Sequence, residues 1–219
     1  MLDWIVDARA LWPTVTDQGQ RSTCLAMALT GAHEQATGHE LSAEYLHWAS
    51  GMHAGGRGNP SAAGAAMAGE GQPPGDQWPY RLDAVETDAN YTPPNTVVGP
   101  FAQRRADRRL SVIDDLIEEL RQGRWPVLAL RVTDAFADAG TEIVLPDGAG
   151  RAGHAVLAVG AAIVRGHDLE PALRDGDRLL CIRNSWGTSW GFDGHKLISE
   201  AALNECAILA LALDELQHG

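Results

Sequence analysis

The chain has 219 residues, of which 45% are hydrophobic and 21% charged, as in an ordinary globular protein of one domain or two small lobes. Its 17 basic and 29 acidic side chains give a formal net charge of −12, which argues against nucleic acid as a partner. No apolar run approaches the roughly 18 residues that a membrane-spanning helix needs, so we expect no membrane partner either.

The first half of the chain is predicted to be mainly helical. Ser22 or Thr23 can cap a helix that begins at Cys24, and Gly38 is suited to end it. Ser42 similarly caps a shorter helix, and the last predicted helix carries its apolar residues on one face. The predicted helices span residues 24–38, 42–48, about 61–70 and about 111–122.

From Pro126 onward the spacing of apolar residues changes to one typical of strands, with turn signals between the runs. The predicted strands span residues 127–132, 141–145, 154–164, 178–183, 196–199 and 207–213. Helices followed by strands indicate an α+β protein. We expect a helical lobe at about 1–105, a β-rich lobe at about 106–219 and a cleft between them.

Cys24 is the candidate nucleophile. A cysteine near neutral pH is mostly protonated, so its surroundings decide whether it reacts. At the start of a helix, the unpaired N–H groups and the helix dipole favour a negative charge on sulfur. The alternative is that Cys24 is a small buried hydrophobic residue of the apolar segment 25–29.

Gln18 is a candidate donor to an oxyanion. It lies six residues before Cys24, across a turn built on Gly19. Its side-chain amide and the backbone N–H of Cys24 could both donate to the oxygen that gains charge during acyl transfer. Taken alone, a glutamine at this position would more often be an ordinary turn residue.

His154 and Asn184 are the candidate base and its orienting partner. His154 opens an apolar strand and can accept a thiol proton, which it would later return to a leaving amine. Asn184 follows another strand, where its side-chain oxygen could accept a hydrogen bond from the imidazole and fix the tautomer. Trp186 could shield that hydrogen bond from water. Individually, His154 could be structural and Asn184 a turn residue.

The remaining histidines show no metal-ligand spacing and no glycine-rich loop fits a phosphate, so we expect no cofactor. The cysteines are Cys24, Cys181 and Cys206, an odd and sparse set that favours a reducing, cytoplasmic setting. A bridge between Cys181 and Cys206 is left open. The N-terminus has no basic region followed by an apolar stretch, so no secretory signal is expected.

Three blocks of this sequence resemble those of the papain-like cysteine peptidases. They occur in the same order along the chain and are Gln18–Cys24, Gly153–Gly160 and Asn184–Gly191. Weaker similarity covers Leu41–Leu46, the pair Gly55 and Gly56, and Trp78–Tyr80. The resemblance therefore extends over nearly the whole chain.

The resemblance implies a two-lobe fold, with a helical left lobe that carries Cys24 and a β-barrel-like right lobe that carries His154 and Asn184. The active site would lie between the lobes. Cys24 and His154 would form a thiolate–imidazolium pair, Asn184 would orient the imidazole and Gln18 would donate to the oxyanion. Trp186 would shield the pair and line the substrate site. Gly55 and Gly56 would bind the substrate backbone.

Departures from the family pattern are also informative. Arg21 stands where secreted relatives usually have a disulfide cysteine, which agrees with an intracellular protein. Thr23 and Leu25 replace the small residue and the aromatic residue that usually flank the nucleophile. The similarity begins within the first dozen residues, so we expect no inhibitory propeptide. Either a longer protein has been trimmed to this domain, or activity is restrained by a regulatory protein partner, a selective cleft or a lid.

The resemblance favours a cysteine peptidase that hydrolyses a peptide or protein substrate through a thioester on Cys24. One alternative is a peptide-binding module that kept the cleft and lost turnover. Another is a thiol acyltransferase that passes the acyl group to an amine instead of water, since the acylation machinery is shared. The sequence does not define the preferred substrate side chain.

Overall fold

The computed structural model describes residues 1–54, 58–105, 108–110, 112–148, 150–166 and 169–214, with the backbone alone for 108–110. The chain divides into two compact units. The strand-rich unit comprises Met1–Thr16 and Arg109–Ala212, and the helical unit comprises Asp17–Arg108 and the C-terminal segment that begins at Leu213. No helix within the described ranges is long and apolar enough to cross a bilayer.

Helices precede most of the strands along the chain, which confirms the predicted α+β class. The α-helices of the described part are α1 (Cys24–Thr37), α2 (Ala43–Ala49), α3 (Pro60–Gly69), α4 (Ile113–Arg121), α5 (Asp134–Ala137) and α6 (Glu200–Cys206). The strands there are β1 (Leu2–Asp7), β2 (Arg108–Leu110), β3 (Val127–Arg131), β4 (Ile143–Val144), β5 (Gly153–Val164), β6 (Arg178–Arg183), β7 (His195–Ser199) and β8 (Ala207–Ala212).

The boundaries of the helices in the helical unit follow from local side-chain chemistry. Gly38 ends α1 in the left-handed conformation, with φ of 73°, which costs glycine little because it has no Cβ. The hydroxyl of Ser42 caps α2 by accepting from the N–H of Tyr45, as predicted. Asn59 caps α3 in the same way, and Pro60 occupies its first turn.

The N-terminus of α1 differs from the sequence prediction in one respect. Thr23 precedes the helix, but its hydroxyl makes no capping hydrogen bond. Instead, Oγ1 of Thr23 lies 2.8 Å from Oη of Tyr80. The predicted side-chain cap by Ser22 or Thr23 is therefore wrong, because the backbone of Thr23, with a ψ of 6°, is not in the extended conformation of a capping residue.

The sheet of the strand-rich unit has the order β2-β8-β3-β5-β6-β7-β4, and β1 pairs with β5 outside this path. β5 is antiparallel to β1, β3 and β6, whereas β4 and β7 are parallel. Among the described strands the path ends at β2 and β4, so the sheet is open. The barrel-like lobe that the resemblance implied is here an open mixed sheet.

The core of the strand-rich unit lies between α4 and the sheet, where α4 contacts β5 and β1. The buried residues of α4 recur at helical spacing and form one face, as the sequence pattern predicted. They include Ile113, Leu116, Ile117 and Leu120. This packing fixes β5, which carries His154 near its start.

The sequence did not predict β1, β2, α5 or α6. β1 is a six-residue segment that its pairing with β5 stabilises, so its own pattern is a weak signal. α5 has only four residues and begins at a cap formed by the hydroxyl of Thr133. α6 has seven residues and is capped by Ser199. Elements this short give too few periodic positions to be recognised.

Candidate active site

Cys24 is the first residue of α1. Its side chain is half-buried, whereas the next residues of the helix, Leu25 to Leu29, are fully buried. Cys24 thus lies at the boundary of the apolar segment and not inside it. The N–H groups of the first helical turn provide the electrostatic setting that favours a thiolate. This placement fits a nucleophile better than a small core residue.

A tight turn precedes Cys24 and holds Gln18. Gly19 adopts a φ of 59°, and its N–H donates to the Asp17 carboxylate at 2.8 Å. The N–H of Arg21 donates to the carbonyl of Gln18 at 3.3 Å and closes the turn. Nε2 of Gln18 donates to the carbonyl of Arg21 at 2.6 Å. The amide of Gln18 is therefore buried and held by the backbone of its own turn.

Tyr80 holds the turn and the start of α1 together. Its hydroxyl donates to the carbonyl of Gln18 at 2.9 Å. Because tyrosine has a single hydroxyl proton, the hydroxyl of Thr23 is the donor in its own contact with Tyr80. One aromatic side chain thus links both ends of the segment between Gln18 and Cys24. The sequence pointed to Tyr80 only through the weak similarity of residues 78–80.

Arg21 lies at the centre of a buried polar cluster in the helical unit. Its guanidinium donates to both carboxylate oxygens of Glu44 at 2.7 Å, with side-chain exposures of 6% and 1%. Nε of Arg21 also donates to Glu86 at 2.8 Å. The hydroxyl of Tyr91 donates to Glu44 at 2.5 Å. A bidentate pair with further hydrogen bonds is the arrangement in which buried charges offset their loss of hydration.

His47 extends this cluster. Its Nε2 lies 3.1 Å from the Glu86 carboxylate, and its side chain is fully buried. Burial lowers the pKa of His47 and outweighs the opposing effect of Glu86. Burial by itself would raise the pKa of Glu86, but His47 and Arg21 outweigh it, so the pKa of Glu86 is lowered. The carboxylate of Glu86 is therefore ionised near neutral pH.

His154 and Asn184 are brought together by the register of β5 and β6. Leu157 of β5 lies opposite Arg183 of β6 in an antiparallel pair. Residues just before Leu157 consequently lie beside residues just after Arg183. This places Nε2 of His154 2.6 Å from Oδ1 of Asn184, and both side chains are buried.

The hydrogen bonds of Asn184 define the tautomer of His154. The N–H of Ser185 donates to Oδ1 of Asn184 at 2.8 Å, so that atom is an oxygen that accepts. Nε2 of His154 must then donate to the same oxygen. In the neutral imidazole, Nδ1 is left as the basic nitrogen. Burial lowers the pKa of His154 and outweighs the hydrogen bond to Asn184, so the neutral form is favoured.

Aromatic rings surround the His154 imidazole. The Trp186 ring lies 4.6 Å from it between centroids, and the fully buried Phe136 ring lies 5.7 Å from it with an interplanar angle of 67°. Phe136 also contacts Trp186 and Trp190, at 5.6 and 5.0 Å. These rings cover the histidine and exclude water from its hydrogen bond to Asn184. The position of Trp186 agrees with a shield, whereas Phe136 gave no signal in the sequence.

Two glycines after Asn184 adopt left-handed backbone conformations, which glycine tolerates better than other residues. Gly187 has a φ of 74°, and its N–H donates to the carbonyl of Thr16 at 3.1 Å. Gly191 has a φ of 60°, and a Cβ there would lie 2.0 Å from the carbonyl oxygen of His195. No larger residue fits that position without moving the backbone. The loop that carries Asn184 and Trp186 is thereby fixed at two points.

The structure places Gln18 and Cys24 in the helical unit and groups His154, Asn184 and Trp186 in the strand-rich unit. Gly55 and Gly56, the predicted substrate-backbone residues, lie outside the described residues. None of the three cysteines, all of which the structure describes, takes part in a disulfide.

The family profile of papain family cysteine proteases matches residues 2–214 of this chain. The chain belongs to the papain family. This membership covers nearly all of the sequence and both units, and it confirms the resemblance seen in the three sequence blocks.

Individual known proteins are similar to part or all of this chain. A 52-residue segment, 24% of this chain, is 39% identical to cathepsin J of Mus musculus but spans only 16% of that protein. Xylellain, a cysteine protease from Xylella fastidiosa, has a TM-score of 0.66 and 21% identity over 97% of this chain and 86% of its own. The bromelain protease from Ananas comosus, solved in complex with the E64 inhibitor, has a TM-score of 0.70 and 20% identity over 96% of this chain and 98% of its own.

Proposed function

We propose that this papain-family chain is a cysteine peptidase that hydrolyses peptide bonds through a thioester on Cys24. The observation that carries the proposal is the pair formed by His154 and Asn184. That pair holds a neutral, buried imidazole in the tautomer whose Nδ1 can accept a proton. The lowered pKa keeps this imidazole unprotonated near neutral pH, the form in which Nδ1 can act as a base.

In the acylation step, Nδ1 of His154 takes the proton of the Cys24 thiol, and the sulfur attacks the carbonyl carbon of the substrate. The carbonyl π electrons move to oxygen, which accepts hydrogen bonds from the Gln18 amide and the Cys24 backbone N–H. When the tetrahedral intermediate collapses, the C–N bond breaks and the imidazolium protonates the leaving amine. The acyl group remains on sulfur as a thioester.

In the deacylation step, His154 removes a proton from water, which attacks the thioester carbonyl. The C–S bond then breaks, and the proton returns to the Cys24 sulfur as the acid product leaves. Asn184 accepts a hydrogen bond from Nε2 of His154 throughout both steps. It keeps the ring in one orientation while Nδ1 is protonated and deprotonated.

The loop geometry supports Gln18 as the oxyanion donor. One N–H of its amide is held by the carbonyl of Arg21, which restricts the side chain to a single orientation. A donor held in place before reaction loses little entropy when the charge develops. On the family resemblance we also propose that Gly55 and Gly56 bind the substrate backbone and that Trp186 borders the substrate and covers His154.

We also propose a cytoplasmic location and a regulatory protein partner. The cytoplasmic setting is supported by three cysteines that form no disulfide among the described residues. A partner that restrains turnover would suit a peptidase working among cellular proteins.

A covalent epoxide probe tests the proposed nucleophile. Burial raises the pKa of Cys181 to about 12 and that of Cys206 to about 11, so both thiols stay protonated and unreactive near neutral pH. The probe should add once, at Cys24, as located by peptide mass spectrometry. Cys24→Ala should lose the adduct, whereas the matched variant Cys206→Ala should keep it. An unreactive wild-type protein, or label at another cysteine, would count against the proposal.

Cleavage of a peptide library then tests turnover. Products with new carboxyl termini would establish hydrolysis and report the preferred side chains. Saturable peptide binding without products would show a binding module instead. Products that carry an added amine, with no hydrolysis, would show an acyltransferase.

A further inference from the structure

Lys196 is the only lysine among the 17 basic side chains of the sequence. It lies on β7 and is completely buried, with 0% exposure. Lysine is rarely buried unless its ammonium is well paired, because dehydrating the charge is costly. A single lysine kept in the core therefore needs a specific explanation.

The Lys196 ammonium is saturated by backbone carbonyls of one short segment. Nζ lies 3.2 Å from the carbonyl oxygen of Ala135, 2.9 Å from that of Phe136 and 2.6 Å from that of Asp138. Three acceptors match the three ammonium protons. The flat guanidinium of arginine, with its fixed fork of donors, does not suit three carbonyls that converge on one point. The segment that contains α5 is thus held by a point charge.

The indole of Trp190 completes this arrangement. The ammonium lies 4.5 Å from the centroid of the Trp190 ring, within the range of a cation–π interaction. Nε1 of Trp190 donates to the carbonyl of Phe136 at 2.9 Å, the same carbonyl that Lys196 binds. Two donors from different elements therefore fix the backbone of Phe136.

A further hydrogen bond joins the α5 segment to the turn at 190–191. The N–H of Gly191 donates to the carbonyl of Ala139 at 2.9 Å. A Cβ at Gly191 would lie 2.7 Å from Cγ of Lys196, so the lysine stem packs directly against this turn. The α5 segment, the turn at 190–191 and β7 consequently form one packed body around the ammonium.

The side chain of Phe136 connects this group of contacts with the candidate base, His154. Its ring packs edge-on against His154 at 5.7 Å and against Trp186 at 5.6 Å. The backbone of Phe136 is held by Lys196, and its ring covers His154. A shift of the α5 segment would therefore open the imidazole to water.

We propose that Lys196 is a positioning residue for His154: by fixing the α5 backbone it presses the Phe136 ring onto the imidazole and keeps water out. The role in turnover rests on the proposed peptidase function, but the effect on the imidazole does not. An apolar side chain of similar length would fill the same space without holding three carbonyl oxygens. Positioning, not volume, is what the lysine adds.

Lys196→Met tests the proposal, because methionine is unbranched and only one atom shorter than lysine, and it removes the three hydrogen bonds. The primary readout is the pKa of His154, measured by NMR of the ring nitrogens in the folded protein. Burial now lowers that pKa. We expect the substitution to raise it toward the usual value for histidine as water reaches the ring. We also expect kcat to fall by about tenfold, with little change in KM. A loss of this size is typical when a residue that positions a functional group is removed.

A second variant separates positioning from the loss of charge. Removing a nearby positive charge would by itself raise the pKa of His154. Phe136→Leu keeps the charge and removes the ring, and we expect it to raise the pKa of His154 in the same direction. It also keeps the test possible if Lys196→Met does not fold. Leu179→Ala, a buried change at the end of β6 remote from Asn184, is the matched control and should leave that pKa unchanged.

An unchanged pKa of His154 in either folded variant would overturn the proposal, as would an equal shift in Leu179→Ala. If the pKa of His154 rises as expected but no variant, nor the wild type, cleaves peptides, the positioning role stands and the peptidase proposal fails. If kcat and KM change together while the pKa stays constant, Lys196 stabilises the fold only. The lone lysine also gives a single Nζ resonance, whose loss in Lys196→Met confirms the assignment.

Discussion

Oδ1 of Asn184 accepts from Nε2 of His154 and from the N–H of Ser185, and this double acceptance leaves the histidine one tautomer. The amide cannot rotate by half a turn without pointing its NH₂ group at the Ser185 N–H. The orientation of the imidazole is therefore set by a backbone N–H, through Asn184. This relationship makes Asn184 a positioning residue whose loss should affect turnover more than binding.

We expect Asn184→Ala to lower kcat/KM by about 10- to 100-fold, because the imidazole would sample both tautomers and orientations. The loss should fall mainly on kcat, since Asn184 acts through His154. Steady-state kinetics with a fluorogenic peptide measure it, with Asn204→Ala as the matched control at an exposed position of α6. Wild-type kinetics in Asn184→Ala would contradict the assigned role.

Gln18→Ala should lower kcat by about 10²–10³-fold while KM changes little, since an oxyanion donor acts on the transition state. Gln20→Ala is the control, because Gln20 is exposed in the same loop. The rate of epoxide labelling should be less affected, as that reaction forms no acyl oxyanion. Equal kinetic effects of the two substitutions would indicate that the loop, and not the amide of Gln18, is responsible.

Arg21→Met should lower the free energy of unfolding by about 3–5 kcal/mol, because it leaves the carboxylate of Glu44 buried without its partner. The double variant Arg21→Met with Glu44→Met should recover part of that loss. Urea denaturation measures both. Arg81→Met, which removes an exposed ion pair with Asp83, should leave the free energy of unfolding nearly unchanged. A double variant less stable than Arg21→Met would argue against the unpaired charge as the cause.

Acid should destabilise the protein through its buried histidines. Burial lowers the pKa of His33 to about 4 from its usual 6.5, so between these values the unfolded chain binds a proton that the folded chain does not. The free energy of unfolding is therefore at its full value above pH 6.5, and it decreases as the pH falls toward 4. At ~1.4 kcal/mol per pH unit this amounts to about 3 kcal/mol. Burial lowers the pKa values of His47, His154 and His195 as well, which adds to the effect.

Denaturation curves recorded across the acid range measure this loss. In His33→Gln, which can still donate to Gln72 but does not titrate, the free energy of unfolding should depend less steeply on pH. The exposed His39→Gln serves as control and should follow the wild type. The same steepness in all three proteins would rule out His33 as the titrating group.

The sequence predicted the longer elements well, because their apolar residues recur over enough positions to define a period. Cys24 begins α1 and Gly38 follows its last residue, as predicted. The strand predicted at 207–213 is β8, Ala207–Ala212. The sequence also predicted that His154 lies at the start of a strand and that Asn184 follows another strand, and the structure shows both.

What the sequence could not predict depends on contacts between residues distant along the chain. The predicted cap by Thr23 is wrong because its backbone is not extended, and its hydroxyl instead contacts Tyr80, 57 residues away. Phe136 sits in a four-residue helix, so nothing in its surroundings marked it as a neighbour of His154. Lys196 looked like an ordinary strand residue, and only the folded segment supplies the carbonyls that bind it.

The ion pair between Arg21 and Glu44 has a consequence for the conditions under which the protein works. A catalytic thiol must be kept reduced, and a medium that does so also opens disulfides. The turn that carries Gln18 is anchored through charges and hydrogen bonds, none of which responds to thiols. A reductant that keeps the proposed nucleophile Cys24 reduced would therefore leave the turn beside it intact.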